Sequence, residues 1–493
     1  MRSRNLNWES LRPVVVALAT VAGWALIALG DAPEQRGSPN RLPQKLAEAW
    51  RKAGAEVGWS REVGYPYFVA DGEGTNGDLP AFKFSKDPNA LLERLPVPAV
   101  AFALDCNSAD IRDTTLKNIA RFDTLQSLGL RGGQVTDAGV KELAGLTNLQ
   151  SLNLYGTKLT DTGMKVVGAV PKLRTLHIAR TQVTDTGLRE LRGLTRLQTI
   201  GLGHTEVTDA GLKELASLKS LQGLYLRGIE VTDAGLEALE QLKELRELTF
   251  WKARLTDAGM KELAGLDRLR SLDLTDVPIS DEGLKELVRV QNLESLWIAG
   301  TRITDRGIGD LAALQNLRSL DLSRTQITDA ALANVKNFKN LKQLYLSTNV
   351  TDAGLMELAS LTLLEELGIQ NASISDVGLT AVAGLGELRV LYMAQTRITD
   401  DGLRNLAGLK KLKTLALGNN QVTDAGLENL AQLGSLETLW LRGTQVTDAG
   451  LKPLSGMKHL RQLGLTETKV TLAGKEALQS VLAHCVIEID TRP

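Results

Sequence analysis

The chain is 493 residues long, and its 57 lysines and arginines nearly balance 58 aspartates and glutamates, for a formal net charge of -1. That balance excludes the broadly basic surface that general nucleic-acid binding requires. Aromatic residues make up only 4%, so each one outside a core position is informative. At the N-terminus, Arg2, Arg4 and Arg12 flank the start of an uncharged, largely apolar run at 13–30. A basic region, an apolar region and small residues such as Ala28 and Gly30 are the layout of a secretory signal. The run is also just long enough to span a bilayer. Residues 1–30 are therefore expected to be a cleaved signal peptide or an uncleaved membrane anchor, with the remainder exported. Membrane contact is expected only through this segment.

Residues 31–44, with Pro33, Pro39 and Pro43, read as a linker. Leu46, Ala49, Trp50 and Ala53 share one helical face and predict a helix over 42–57. Residues 58–98 show no period. With that helix they are expected to form an N-terminal cap over 45–99, shielding the apolar end of a repeat stack that begins near residue 100.

From about residue 100 the chain repeats. Asp113, Asp137, Asp161 and Asp185 begin a column of aspartates spaced by 24 residues, which runs through Asp329, is one residue short at Asp352, and ends at Asp448. A fixed period in this range, with Leu-x-x-Leu-x-Leu spacing, marks a solenoid. In the repeat at Leu317, Leu320 and Leu322 alternate with polar residues, as on a strand with one buried face. Ile308, Leu311, Ala312 and Leu314 before it keep helical spacing. Neither element can bury its apolar face alone, so stacking is required. About sixteen rungs are expected over 100–470 and a C-terminal cap over 471–493, where Leu472 stands in place of the aspartate.

Each rung offers only one of these carboxylates, whereas calcium gathers six to eight oxygens on one ion. Helix capping explains them better, since Thr and Asp at a strand-to-helix junction accept from exposed N–H groups. The glycine two residues on permits close packing between rungs. Thr157, Thr181, Thr205, Thr301, Thr325, Thr396 and Thr444 stand at the turn out of the strand, where a hydroxyl can satisfy buried backbone groups.

The stretch ITDRGIGDLAALQNLRSLDLSRTQITD resembles the cysteine-containing, F-box-partner type of leucine-rich repeat in its shorter bacterial form. The likeness covers about four-fifths of the chain. Threonine replaces the signature cysteine, and the helix RLPQKLAEAWRKAGAEVGW departs from an F-box. The whole layout is similar to secreted or surface repeat proteins of bacteria. The resemblance implies an α/β leucine-rich-repeat solenoid, a right-handed horseshoe or spiral. A parallel sheet would line its concave face, short helices its convex face, and its role would be protein binding.

Recognition is then expected among non-repeating residues of the concave sheet. The middle residue of Leu-x-Leu points outward, and that column holds Tyr225, Trp297, Tyr345, Tyr392 and Trp440. The column two residues on holds Arg131, Tyr155, Arg227, Trp251 and Arg442. Exposed Trp, Tyr and Arg are enriched at binding hot spots. The candidate site is therefore Tyr225, Arg227, Trp251, Trp297, Tyr345, Tyr392, Trp440 and Arg442.

Catalysis, cofactors and metals are not expected: no nucleophile motif, phosphate loop or paired-cysteine zinc motif is present. His177 and His204, one rung apart, are expected to be solvated on the concave face. Cys106 and Cys485 fall in the first and last rungs, on the order of 70 Å apart at about 4.8 Å per strand. A disulfide needs Cα atoms within about 7 Å, so both are expected as free, buried thiols. The expected function is a non-catalytic, exported scaffold for a protein partner. The alternatives are an F-box-like cytosolic adaptor and a glycan-binding surface protein, in which Trp and Tyr stack on sugar rings.

Overall fold

In the computed structural model, which describes residues 42–490 except 64, 71–73 and 76, the first element is a helix, α1 (Gln44–Lys52), that buries Ala47 and Trp50. It stops short of the expected end at 57 because Gly54 takes φ +90°, a left-handed conformation that terminates helices. The apolar run at 13–30 lies outside the described residues. Among the described residues, no helix is long and apolar enough to cross a membrane.

The segment without a period is built differently from the expectation of irregular chain. β1 (Glu56–Val63) pairs antiparallel with β2 (Tyr65–Ala70) and with β3 (Leu79–Lys83). β3 then pairs in parallel with β4 (Phe102–Asp105). The reason is visible in the core: Trp50 stacks on Phe82 at 3.9 Å and lies 5.6 Å from Phe122 and 6.1 Å from Phe84 and Phe102. Large aromatic rings supply burial here that leucine spacing supplies later.

The chain folds as two units that divide after Arg254. In the first, β4 is followed by parallel strands β5 (Leu125–Gly129), β6 (Ser151–Asn153), β7 (Thr175–His177), β8 (Thr199–Gly201), β9 (Gly223–Tyr225) and β10 (Glu247–Thr249). In the second, a like parallel series runs from β11 (Ser271–Asp273) to β20 (Val486–Glu488). Each strand leads through a turn into a short α or 3₁₀ helix, such as Asp161–Val167 or Asp257–Gly265. Apolar residues on both elements, such as Leu152 on β6 and Met164 and Val167 on the helix after it, are fully or almost fully buried. Each such side chain contributes about 2 kcal/mol of burial.

The aspartate column bonds to the next repeat instead of capping its own helix, which corrects the sequence expectation. Asp161 Oδ1 accepts from the Thr184 N–H at 2.8 Å, and its Oδ2 accepts from the Thr184 hydroxyl at 2.7 Å. The Thr184 oxygen in turn accepts from the Thr186 N–H at 3.2 Å, capping the next helix. Each carboxylate thus reaches one repeat forward, and threonine is the cap. The glycine after it makes room: a Cβ on Gly187 would collide with Asp161 Oδ1. The other threonine column behaves as expected. Thr157, Thr181, Thr301, Thr325 and Thr444 donate to carbonyls three residues back at 2.6–2.7 Å. Cys106 and Cys485 are free and buried.

Candidate functional site

The outward column of the sheet is less open than the sequence suggests. In the second unit, aromatic and smaller residues alternate strand by strand: Trp297, Asp321, Tyr345, Gly368, Tyr392, Ala416, Trp440, Gly464. Strands lie about 4.8 Å apart, too close for large rings side by side, so each ring leans over its small neighbour. A Cβ on Gly368 would collide with Tyr345 Cδ1, and one on Gly464 with Trp440 Cε3. Trp297 is buried at 6% exposure, while Tyr345, Tyr392 and Trp440 are half-buried.

The phenols hold carboxylates. Tyr345 donates to Glu366, which also accepts from Gln343 Nε2 at 3.0 Å. In the first unit, Tyr225 donates to Glu247 Oε2 at 2.6 Å and is itself buried at 5% exposure. Burial raises both glutamates above the ordinary carboxylate range, against the phenol hydrogen bonds that lower them. Burial also pushes Tyr345 up, with the Glu366 charge second. Tyr225 and Trp297 are therefore corrected from exposed to buried: Tyr225 is drawn down by its bond to Glu247, and Trp297 sits between the short side chains of Asp273 and Asp321.

The column two residues on stays open. In the second unit, the exposed carboxylate of Glu467 takes the Arg442 guanidinium at 2.6 Å. In the first unit, Trp251 is half-buried, with Arg227 over its ring at 3.9 Å and Lys252 at 4.4 Å. Arg131 lies over the Tyr155 ring at 4.6 Å, with Arg180 on the same ring at 6.0 Å.

His177 is fully buried, which corrects its expected solvation. His204 is exposed, with its ring centroid 6.3 Å from that of Trp251, in an edge-on arrangement. Partial burial and then Arg180, Arg227 and Lys252 lower its pKa below the ordinary histidine value.

Sequence reading missed Arg180 and Lys252, and took His204 only as a solvated side chain, as its exposure bears out. All three occupy the turn position after the strand that has φ of 57–61°, where Gly132, Gly156 and Gly228 also stand. A left-handed site usually takes glycine or asparagine. Large cationic residues in a glycine column were the available signal. Among the described residues, no group of three or more His, Cys, Asp or Glu could hold a metal ion.

A family model described as leucine-rich repeat region matches residues 85–359, and a second, leucine rich repeat, matches 408–431. No curated protein sequence matches significantly. Among solved structures, a leucine-rich-repeat protein from Leptospira interrogans is 24% identical, with 78% of this chain and 96% of that chain covered and a TM-score of 0.51. An internalin from Listeria monocytogenes is 27% identical, with 71% of this chain and 88% of that chain covered and a TM-score of 0.44.

Proposed function

We propose that this chain, which belongs to the leucine-rich-repeat family, is an exported scaffold that binds a protein partner through the outward face of its sheet. Family membership supports a protein-binding scaffold in general. The sheet face is supported by the alternation of rings and small residues from Trp297 to Gly464 in the second unit. Tyr345 and Trp440 lie close over Gly368 and Gly464, so a partner meets aromatic area with little side-chain entropy left to lose. Tyr392 and Trp440, both half-buried, offer the accessible part of that area, with Arg442 beside them. Tyr345 and the buried Trp297 continue the column, while in the first unit Arg227 and Trp251 form a second patch near the buried Tyr225. Such binding needs neither a cofactor nor turnover.

The test is capture of the partner from native cells by the full chain and by the Tyr392→Ala/Trp440→Ala double variant. The expected result is one protein held by the wild type and weakened about tenfold in the variant, about 1.4 kcal/mol, with unchanged circular dichroism. Equal capture by both proteins removes this face as the site. Fractionation of the same cells tests export, and a chain recovered in the cytosol with residues 1–30 intact removes that part.

A further inference from the structure

The first unit carries a second surface that the aromatic column does not explain. Where its strands turn toward the helices, the chain presents Arg131, Arg180, His204, Arg227 and Lys252, all exposed. They span β5 to β10, about 24 Å at 4.8 Å per strand. Two rings organise them. Tyr155 carries Arg131 and Arg180, and Trp251 carries Arg227 and Lys252. A guanidinium stacked on a ring keeps its N–H edges free and gives up little entropy when those edges are used. Among the described residues, none of these four cations is in an ion pair with a carboxylate.

The backbone is adapted to this row. Gly228 leaves the space that the His204 ring fills, since a Cβ there would lie 2.5 Å from His204 Cε1. Arg180, His204 and Lys252 hold left-handed φ values, a conformation that is unfavourable by about 1 kcal/mol or more for residues with a Cβ. Desolvation first, and then the charges of Arg180, Arg227 and Lys252, lower the pKa of His204.

We propose that this row binds an extended acidic peptide segment of a partner protein. The free edges of stacked guanidinium groups match carboxylates in paired hydrogen bonds. An extended chain of about seven residues covers about 24 Å, with side chains on one side about 7 Å apart, so about four carboxylates face the row. Single-stranded nucleic acid fits less well. Its bases need open aromatic faces, and here Arg131 and Arg227 already lie on the two rings. Glu206 and Glu230 border the row. Arg254 engages Glu230 at 3.0 Å.

The experiment measures fluorescence anisotropy of labelled decaglutamate with the full chain, at low and at high salt. Labelled oligothymidylate of equal length is run beside it. Decaglutamate is expected to bind at low salt and to be released at high salt. Arg180→Gln/Arg227→Gln, two surface changes outside the core, is expected to weaken binding about tenfold, and Trp251→Ala similarly. The Tyr392→Ala/Trp440→Ala variant is expected to bind decaglutamate as wild type does, so this surface and the aromatic face fail or stand separately. The proposal is overturned if decaglutamate is not bound at low salt, if the double glutamine variant binds it unchanged, or if oligothymidylate binds more tightly than the peptide.

Discussion

The two units use the same left-handed turn position in opposite ways. In the first it holds Arg180, His204 and Lys252; in the second it holds Asp276, Arg324, Asn371, Gln395, Asn419 and Glu467. The second unit neutralises its own cations. Arg324 pairs with Asp276 and Arg442 with Glu467, both at 2.6 Å. In the first unit Arg131, Arg180, Arg227 and Lys252 lie over rings, and among the described residues none of these four pairs with a carboxylate. One backbone thus presents a closed electrostatic surface in one half and an open one in the other. The repeat fixes where a side chain stands, and the side chain alone decides whether its charge is available.

Substitutions put that contrast to the test. The largest effect belongs to the shared frame. Asp185→Ala and Asp400→Ala each remove two hydrogen bonds to a carboxylate, from Thr208 and Thr423 respectively. Each should lower stability by about 2 kcal/mol in urea denaturation, and a clear difference between them would show that the units are not built alike. Gly211→Ala, whose Cβ would collide with Asp185 Oδ1, should destabilise by about 1–3 kcal/mol through overpacking.

Next comes conversion of one unit into the other. His204→Asp sets a carboxylate among Arg180, Arg227 and Lys252 in a conformation that aspartate tolerates. Decaglutamate binding should fall about tenfold, or 1.4 kcal/mol, while the melting temperature holds. Unchanged binding would mean that the unpaired charge is not what matters.

A smaller effect concerns the buried Glu366. Its folded pKa is raised by burial, so the stability linked to its protonated form is present at acid pH and lost as pH rises through that pKa. Glu366→Gln should therefore melt higher than wild type at pH 8 and no higher at pH 4. A variant less stable at pH 8 would show that the charged form, bonded to Tyr345 and Gln343, is the favoured one. Smallest of all, Arg324→Gln should change stability by less than about 1 kcal/mol, as expected for a partly exposed pair.

The frame was legible because its signals are local and repeated. Leucine spacing gave strand and helix, and the aspartate period gave the rungs. The N-terminal segment was not legible, because β1 to β3 are joined by antiparallel pairing and by an aromatic cluster around Trp50, and neither leaves a period. Of the eight candidate residues, the sequence placed all on the strands and the turns after them. It overstated the openness of Tyr225 and Trp297, since a side chain's direction was readable but not what it leans on. It also passed over Arg180 and Lys252, and saw in His204 only a solvated side chain, because that column reads as glycine turns until the rings beside it are seen.

The order of amino acids is enough to specify that this chain coils into stacked repeats and which columns stay constant, because periodic burial admits one solution. Which neighbour each polar group meets was settled only by the stacking itself. Asp161 reaches forward to Thr184, Tyr345 holds Glu366, and Arg227 rests on Trp251 while Arg442 is taken by Glu467. These pairings join residues about one repeat apart whose distance and facing exist only once the rungs are in place. The availability of a charge depends on that spacing and not on the residue's own identity.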